Sequence, residues 1–108
     1  MELSILLRLK FKMYVKIHKD GSGKVLAICD ENLIGKTLED GNICINVSER
    51  FYKGEIKNEN EVIKLMKIAE NINMIGKKCV KLALDNGIIQ EEDIIMIKGI
   101  PHAQVLSL

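Results

Sequence analysis

Apolar and polar residues alternate through Tyr14-Val15-Lys16-Ile17-His18-Lys19, which predicts a half-buried strand with Val15 and Ile17 on one face and Tyr14, Lys16 and His18 on the other. Asp20-Gly21-Ser22-Gly23 follows, rich in residues that tolerate positive φ. Lys24-Val25-Leu26-Ala27-Ile28-Cys29 is then a nearly unbroken apolar run of the kind buried on both faces of a sheet. Together these predict an N-terminal hairpin. The polar, glycine-punctuated stretch over 30–42 reads as a loop with a short helical turn, and Ile43-Cys44-Ile45-Asn46-Val47 as a third strand. Ser48 is placed to cap a single helical turn through Phe51 and Tyr52 that Gly54 ends.

The period then changes. Over 58–71, Val62, Leu65, Met66, Ala69 and Ile72 recur every three or four residues, and over 74–86 Ile75, Gly76, Cys79, Val80 and Ala83 do the same. Two amphipathic helices are predicted. The seam at Asn71-Ile72-Asn73 is either a short linker or a bend in one longer helix, and Asn86-Gly87 closes the second. Gln90-Glu91-Glu92-Asp93 predicts a turn, Ile94-Ile95-Met96-Ile97 a fully buried strand, and 103–108 a last strand. The expected fold is a single α+β domain. Its small, mostly antiparallel or mixed sheet joins the N-terminal hairpin to central and C-terminal strands and packs against two central helices.

Composition fits one ordinary core: 108 residues, 47% hydrophobic and 29% charged. The domain is expected over 13–108, with 1–12 as an extension. Either 3–11 adds a strand or short helix, or translation begins at Met13 and a chain starting there folds as well as the full one. The longest apolar run of the extension, Ile5-Leu6-Leu7, is too short for a signal peptide or a membrane span. Cys29, Cys44 and Cys79 are odd in number and lack a C-x-x-C pair, which points to a reducing cytoplasm and to small buried hydrophobes rather than disulfides or a zinc ribbon. No cofactor and no membrane partner are implied. The net charge of +1 supplies no global field toward nucleic acid.

Gly35-Lys36-Thr37 ends like a phosphate-binding loop, but the glycine needed five residues earlier is Asp30, whose charge repels phosphate. Asp30-Glu31 and Glu39-Asp40 flank that loop and are candidates to approach one another as a cation site or an acid–base pair, against the simpler reading of a solvated loop. Lys64, Lys67, Lys77, Lys78 and Lys81 on the two predicted helices offer weak, salt-dependent contacts to phosphates. Lys98-Gly99-Ile100-Pro101-His102-Ala103-Gln104 holds the only proline. His102 titrates near neutral pH, and Gln104 falls on the same side of an extended segment, so the pair either holds a ligand or ties down the last strand. As a partly exposed site residue, His102 is expected to carry little folding energy.

Several short motifs occur in order: Cys29-Asp30-Glu31 with Leu33, Gly35 and Lys36; Val47-Ser48-Glu49 with Phe51, Tyr52, Gly54 and Glu55; Asn73 and Gly76; and Gly99 with Pro101-His102-Ala103-Gln104. On these residues the chain from Met13 onward resembles an uncharacterised archaeal family, domain of unknown function 424. The resemblance implies an archaeal cytosolic protein and favours a shared surface containing His102. The expected function is a non-catalytic binding module, associated with RNA or with a ribosomal or translation component. Its ligand-binding residues would be Asp30, Glu31, Lys36, Ser48, Glu49, Tyr52, Glu55, His102 and Gln104. The alternative is a small hydrolase or transferase in which His102 works with one of the nearby carboxylates. Contact between His102 and a carboxylate in a cleft would favour the enzyme, and a flat or convex surface bordered by lysines the binder.

Overall fold

Strand β1 (Lys12–Asp20) and β2 (Gly23–Asp30) form the expected hairpin, from Met13 opposite Asp30 to Asp20 opposite Gly23. The computed structural model describes residues 12–21 and 23–107, so all of the extension except Lys12 lies outside the described residues. After β2 come a 3₁₀ turn at Glu31–Leu33, β3 (Thr37–Asp40), β4 (Ile43–Asn46), helix α1 (Glu49–Tyr52), β5 (Glu55–Asn58) and helix α2 (Glu59–Ile68). The chain continues through β6 (Asn71–Ile75), helix α3 (Lys77–Asp85), a second 3₁₀ turn at Glu91–Asp93, β7 (Ile94–Ile97) and β8 (Ile100–Val105). Among the described residues, six strands make one mixed sheet in the order β5-β1-β2-β6-β8-β7, and β3 and β4 pair as a separate hairpin. The architecture is a single α+β domain.

The sheet explains the apolar run of β2. That strand lies inside the sheet, antiparallel to β1 and parallel to β6, with both faces covered. On one face Met13, Val15, Leu26, Ile28, Ile72 and Met74 meet Val62 and Met66 of α2 and Cys79, Val80 and Ala83 of α3. On the other, Ala27, Cys29 and Ile75 lie beneath Leu33, Val47 and Tyr52, with Leu38 and Ile45 of the β3–β4 hairpin packed alongside. Each large apolar side chain buried in these layers contributes about 1.5–3 kcal/mol. α2 begins with a capping box: Asn58 Oδ1 accepts from the Glu61 amide at 3.0 Å, and Glu61 Oε1 accepts from the Asn58 amide at 3.3 Å.

Several expectations are corrected. The seam between the two predicted helices is strand β6, and the second helix starts at Lys77 rather than Met74. Asn-Ile-Asn-Met-Ile alternates, but Ile72 stands three residues after Ala69 and Ile75 four before Cys79, so each also continues a helical stripe, although Ile72 faces the α2–α3 core and Ile75 the opposite side of the sheet. The strand Ile94–Ile97 is at a sheet edge and only partly buried: Ile97 is enclosed, whereas Ile95 and Met96 are exposed. The last strand starts at Ile100 and takes in Pro101 and His102, so the segment around the proline is the strand itself. Ile43–Asn46 pairs outside the main sheet, and Cys44 is exposed rather than buried. Among the described residues, no helix is long and apolar enough to cross a membrane.

Candidate functional site

The register of β6 against β8 sets Asn73 opposite Gln104 and Ile75 opposite His102. Side chains of directly opposed residues share a face, and Ile75 packs with Tyr52, so Asn73, His102 and Gln104 all lie on the side of the sheet that carries α1. Tyr52 reaches across from α1 and its hydroxyl donates to Asn73 Oδ1 at 2.6 Å. A tyrosine, two carboxamides and an imidazole are thereby gathered on one sheet face. Gln104 is exposed and Asn73 half-buried.

The position of α1 is fixed from several directions. Ser48 Oγ accepts from the Phe51 amide at 3.1 Å and caps its first turn. The His18 ring stacks on Phe51 with centroids 4.5 Å apart, and its Nε2–H donates to the Phe51 carbonyl at 2.7 Å. Lys16 Nζ donates to the Arg50 carbonyl. Gly54 then lets the chain pass over β1, because a Cβ there would stand 2.2 Å from the Val15 carbonyl oxygen. Tyr52, held this way, is buried, and burial pushes its phenol well above the ordinary range.

His102 is only 9% exposed, so the expectation of a partly exposed residue with little folding weight is corrected. Burial lowers its pKa below the ordinary 6.5, and at neutral pH it is an uncharged imidazole. Among the described residues its ring has no hydrogen-bond partner and touches no carboxylate in an ion pair. Its neighbours on the same side of the sheet, Gln104 on β8 and Ile95 opposite it on β7, are exposed.

A family model described as "Protein of unknown function (DUF424)" matches residues 17–108. The chain belongs to the DUF424 family. It is also similar to an uncharacterized conserved protein from Methanopyrus kandleri seen in a crystal structure, with 28% identity and a TM-score of 0.73 over 90% of this chain and 94% of the other. No curated protein matches it.

The other expected site residues of this DUF424 chain stand elsewhere. Asp30 is buried on the helix side of the sheet, where Oδ2 accepts from the Lys78 amide at 2.9 Å and Oδ1 from the Cys79 amide at 3.0 Å. It serves as the cap of α3, since Gly76 precedes that helix without a side chain to offer. Glu31 and Lys36 are exposed at the end of β2; Gly35, at φ +86°, donates its amide to the Val47 carbonyl at 2.8 Å and anchors this loop to the start of α1. Ser48 is spent on its cap. Glu49 faces Lys53 at 3.9 Å and Glu55 pairs with Lys57 at 3.1 Å on the β5 edge.

Tyr52, His102 and Gln104 thus come together on one face, and Asp30 is separated from them by the sheet. The two acidic pairs of the 30–42 segment do not converge: Asp40 Oδ2 accepts from the Lys98 amide at 3.0 Å, far from the α3 amides that hold Asp30. Among the described residues no group of three or more His, Cys, Asp or Glu is placed to hold a metal ion. The residue that joins the face together, Asn73, figures in the sequence only as the end of the seam at 71–73 and among the residues carrying the resemblance. Reading 71–75 as a strand would have set it beside Gln104.

Proposed function

We propose that this DUF424 protein is a non-catalytic binding module of the archaeal cytoplasm, and that its contact surface is the sheet face bearing Tyr52, Asn73, His102 and Gln104. The observation that carries this reading is the Tyr52–Asn73 hydrogen bond beside exposed Gln104: it orients a half-buried carboxamide next to an exposed one on the α1 side of the sheet. The neutral His102 adds a directional polar contact rather than charge. Arg50 of α1 and Lys53 just after it are exposed and suit a phosphate backbone, which supports RNA or an RNA-bearing translation component as the partner. The likeness to a Methanopyrus kandleri protein supports the archaeal setting. The experiment is recovery of the tagged full chain from archaeal cells with and without ribonuclease. RNA or ribosomal components that co-purify only without the nuclease are the expected result, and no enrichment over an unrelated protein of similar charge would contradict it.

A further inference from the structure

The two edges of the six-stranded sheet are guarded differently. At β5, Glu55-Ile56-Lys57-Asn58, the Lys57 ammonium bridges Glu55 at 3.1 Å and Glu61 at 3.6 Å, and charged side chains of this kind discourage pairing with another chain. At β7, Ile94-Ile95-Met96-Ile97, there is no charge and no proline. Ile95 is 52% exposed and Met96 54%, on opposite faces of the strand.

The turn that follows determines which backbone groups of β7 are free. Lys98 and Gly99 have φ of 52° and 76° and join Ile97 to Ile100, a two-residue turn whose closing pair is hydrogen-bonded in both directions. Alternation along the ladder makes Ile95 and His102 the next bonded pair. The C=O of Ile94 and both backbone groups of Met96 therefore point outward, while the Ile94 N–H donates to the Glu91 carbonyl of the preceding 3₁₀ turn. Pro101 agrees with this phase: it sits opposite Met96, needs no N–H there, and its carbonyl accepts from Gly76 on its other side at 3.0 Å.

An antiparallel second copy fits one register, with Ile94 opposite Met96 of the other chain and Ile95 on the twofold axis, in which each Met96 N–H meets the Ile94 carbonyl of the other copy. The same register sets Glu92 opposite Lys98 of the second copy. Glu91-Glu92-Asp93 precedes β7, and Lys98 follows it beside the Asp40 carboxylate that holds its amide, so antiparallel pairing sets the acidic turn against an end whose charge is balanced, whereas parallel pairing would set acid directly against acid. We propose that β7 is a homodimer edge, two copies pairing it about a twofold through Ile95 to make one continuous sheet. His102 lies on the strand next to the axis, so the two binding faces would run together. The inference does not depend on what those faces bind.

Sedimentation equilibrium of the full chain across a wide concentration range tests it. The mass is expected to rise from that of one chain, 12.2 kDa, toward twice that value. Ile95→Lys, which puts like charges on the axis, and Met96→Pro, which deletes an outward N–H without breaking a β7–β8 bond, are expected to hold the mass at one chain while circular dichroism stays native. Ile56→Lys on the guarded edge is expected to leave the dimer intact. A wild-type chain that is monomeric at every concentration overturns the proposal. A dimer that persists in both folded β7 variants overturns it as well.

Discussion

The carboxylate of Asp30 fills the space in front of Gly76 and takes the amides of Lys78 and Cys79 at 2.9 and 3.0 Å, so one side chain joins the end of β2 to the start of α3. An anion there also faces the positive end of the helix dipole. Asp30→Ala leaves those amides without an acceptor in a buried site, and a loss of about 1–3 kcal/mol in urea unfolding is expected. Gly76→Ala should be at least as costly, because its Cβ would stand 2.3 Å from the Asp30 carboxyl carbon at a φ of +129°. Stability within error of wild type in both variants would show that the carboxylate does not hold this junction.

Tyr52→Phe keeps the ring over Ala27 but removes the hydrogen bond to Asn73, at an expected cost of about 0.5–1.5 kcal/mol. In the wild-type chain the Tyr52 phenol should stay un-ionised past the pH at which an ordinary phenol titrates, as read by ultraviolet absorbance. Titration of both tyrosines at the ordinary value would mean that Tyr52 is not enclosed.

Burial holds His102 below its ordinary pKa, so below pH 6.5 the unfolded chain takes up a proton that the folded chain refuses. The contribution is fully present above that pH and is lost as pH falls toward the lowered folded value. His102→Gln should remove this part of the acid sensitivity, seen as a flatter dependence of the denaturation midpoint between neutral and mildly acidic pH. Parallel profiles for the two chains would contradict a buried, neutral imidazole. At neutral pH His102→Ala is expected to cost about 1–3 kcal/mol through lost packing.

Cys44 is exposed, whereas burial pushes the Cys29 thiol up to about 12 and drives Cys79 well above its ordinary value. A thiol reagent at mildly alkaline pH should modify Cys44 quickly in the native protein and the other two only after denaturation. Rapid native labelling of Cys29 or Cys79 would show that the core around them opens.

Much of this fold is legible in the sequence where local chemistry and tertiary placement agree. The β1–β2 hairpin, the Ser48 cap and the helix from Glu59 all follow from alternation, turn residues and capping residues that act locally. β6 was obscured because Ile72 falls three residues after Ala69 and Ile75 four before Cys79, so the ends of this five-residue strand extend the stripes of the helices on either side. β3 and β5 are four residues each and largely polar, too short to impose a period. Of the candidate site, His102 with Gln104 could be read from their spacing in one strand. Tyr52 meets Asn73 only through a crossing that Gly54 permits, and Asp30 is drawn to α3 by amides distant in sequence; neither relationship leaves a local trace.

The central claim, that the face of Tyr52, Asn73, His102 and Gln104 is the contact surface, is tested most directly by following backbone amide resonances of the full chain during titration with single-stranded RNA. Shifts concentrated on β6, β8 and α1, and abolished together by Asn73→Ala with Gln104→Ala in a chain that keeps its fold, are predicted. Saturable shifts confined to α2 and α3, or none at RNA concentrations that shift other RNA-binding domains of similar charge, would contradict it.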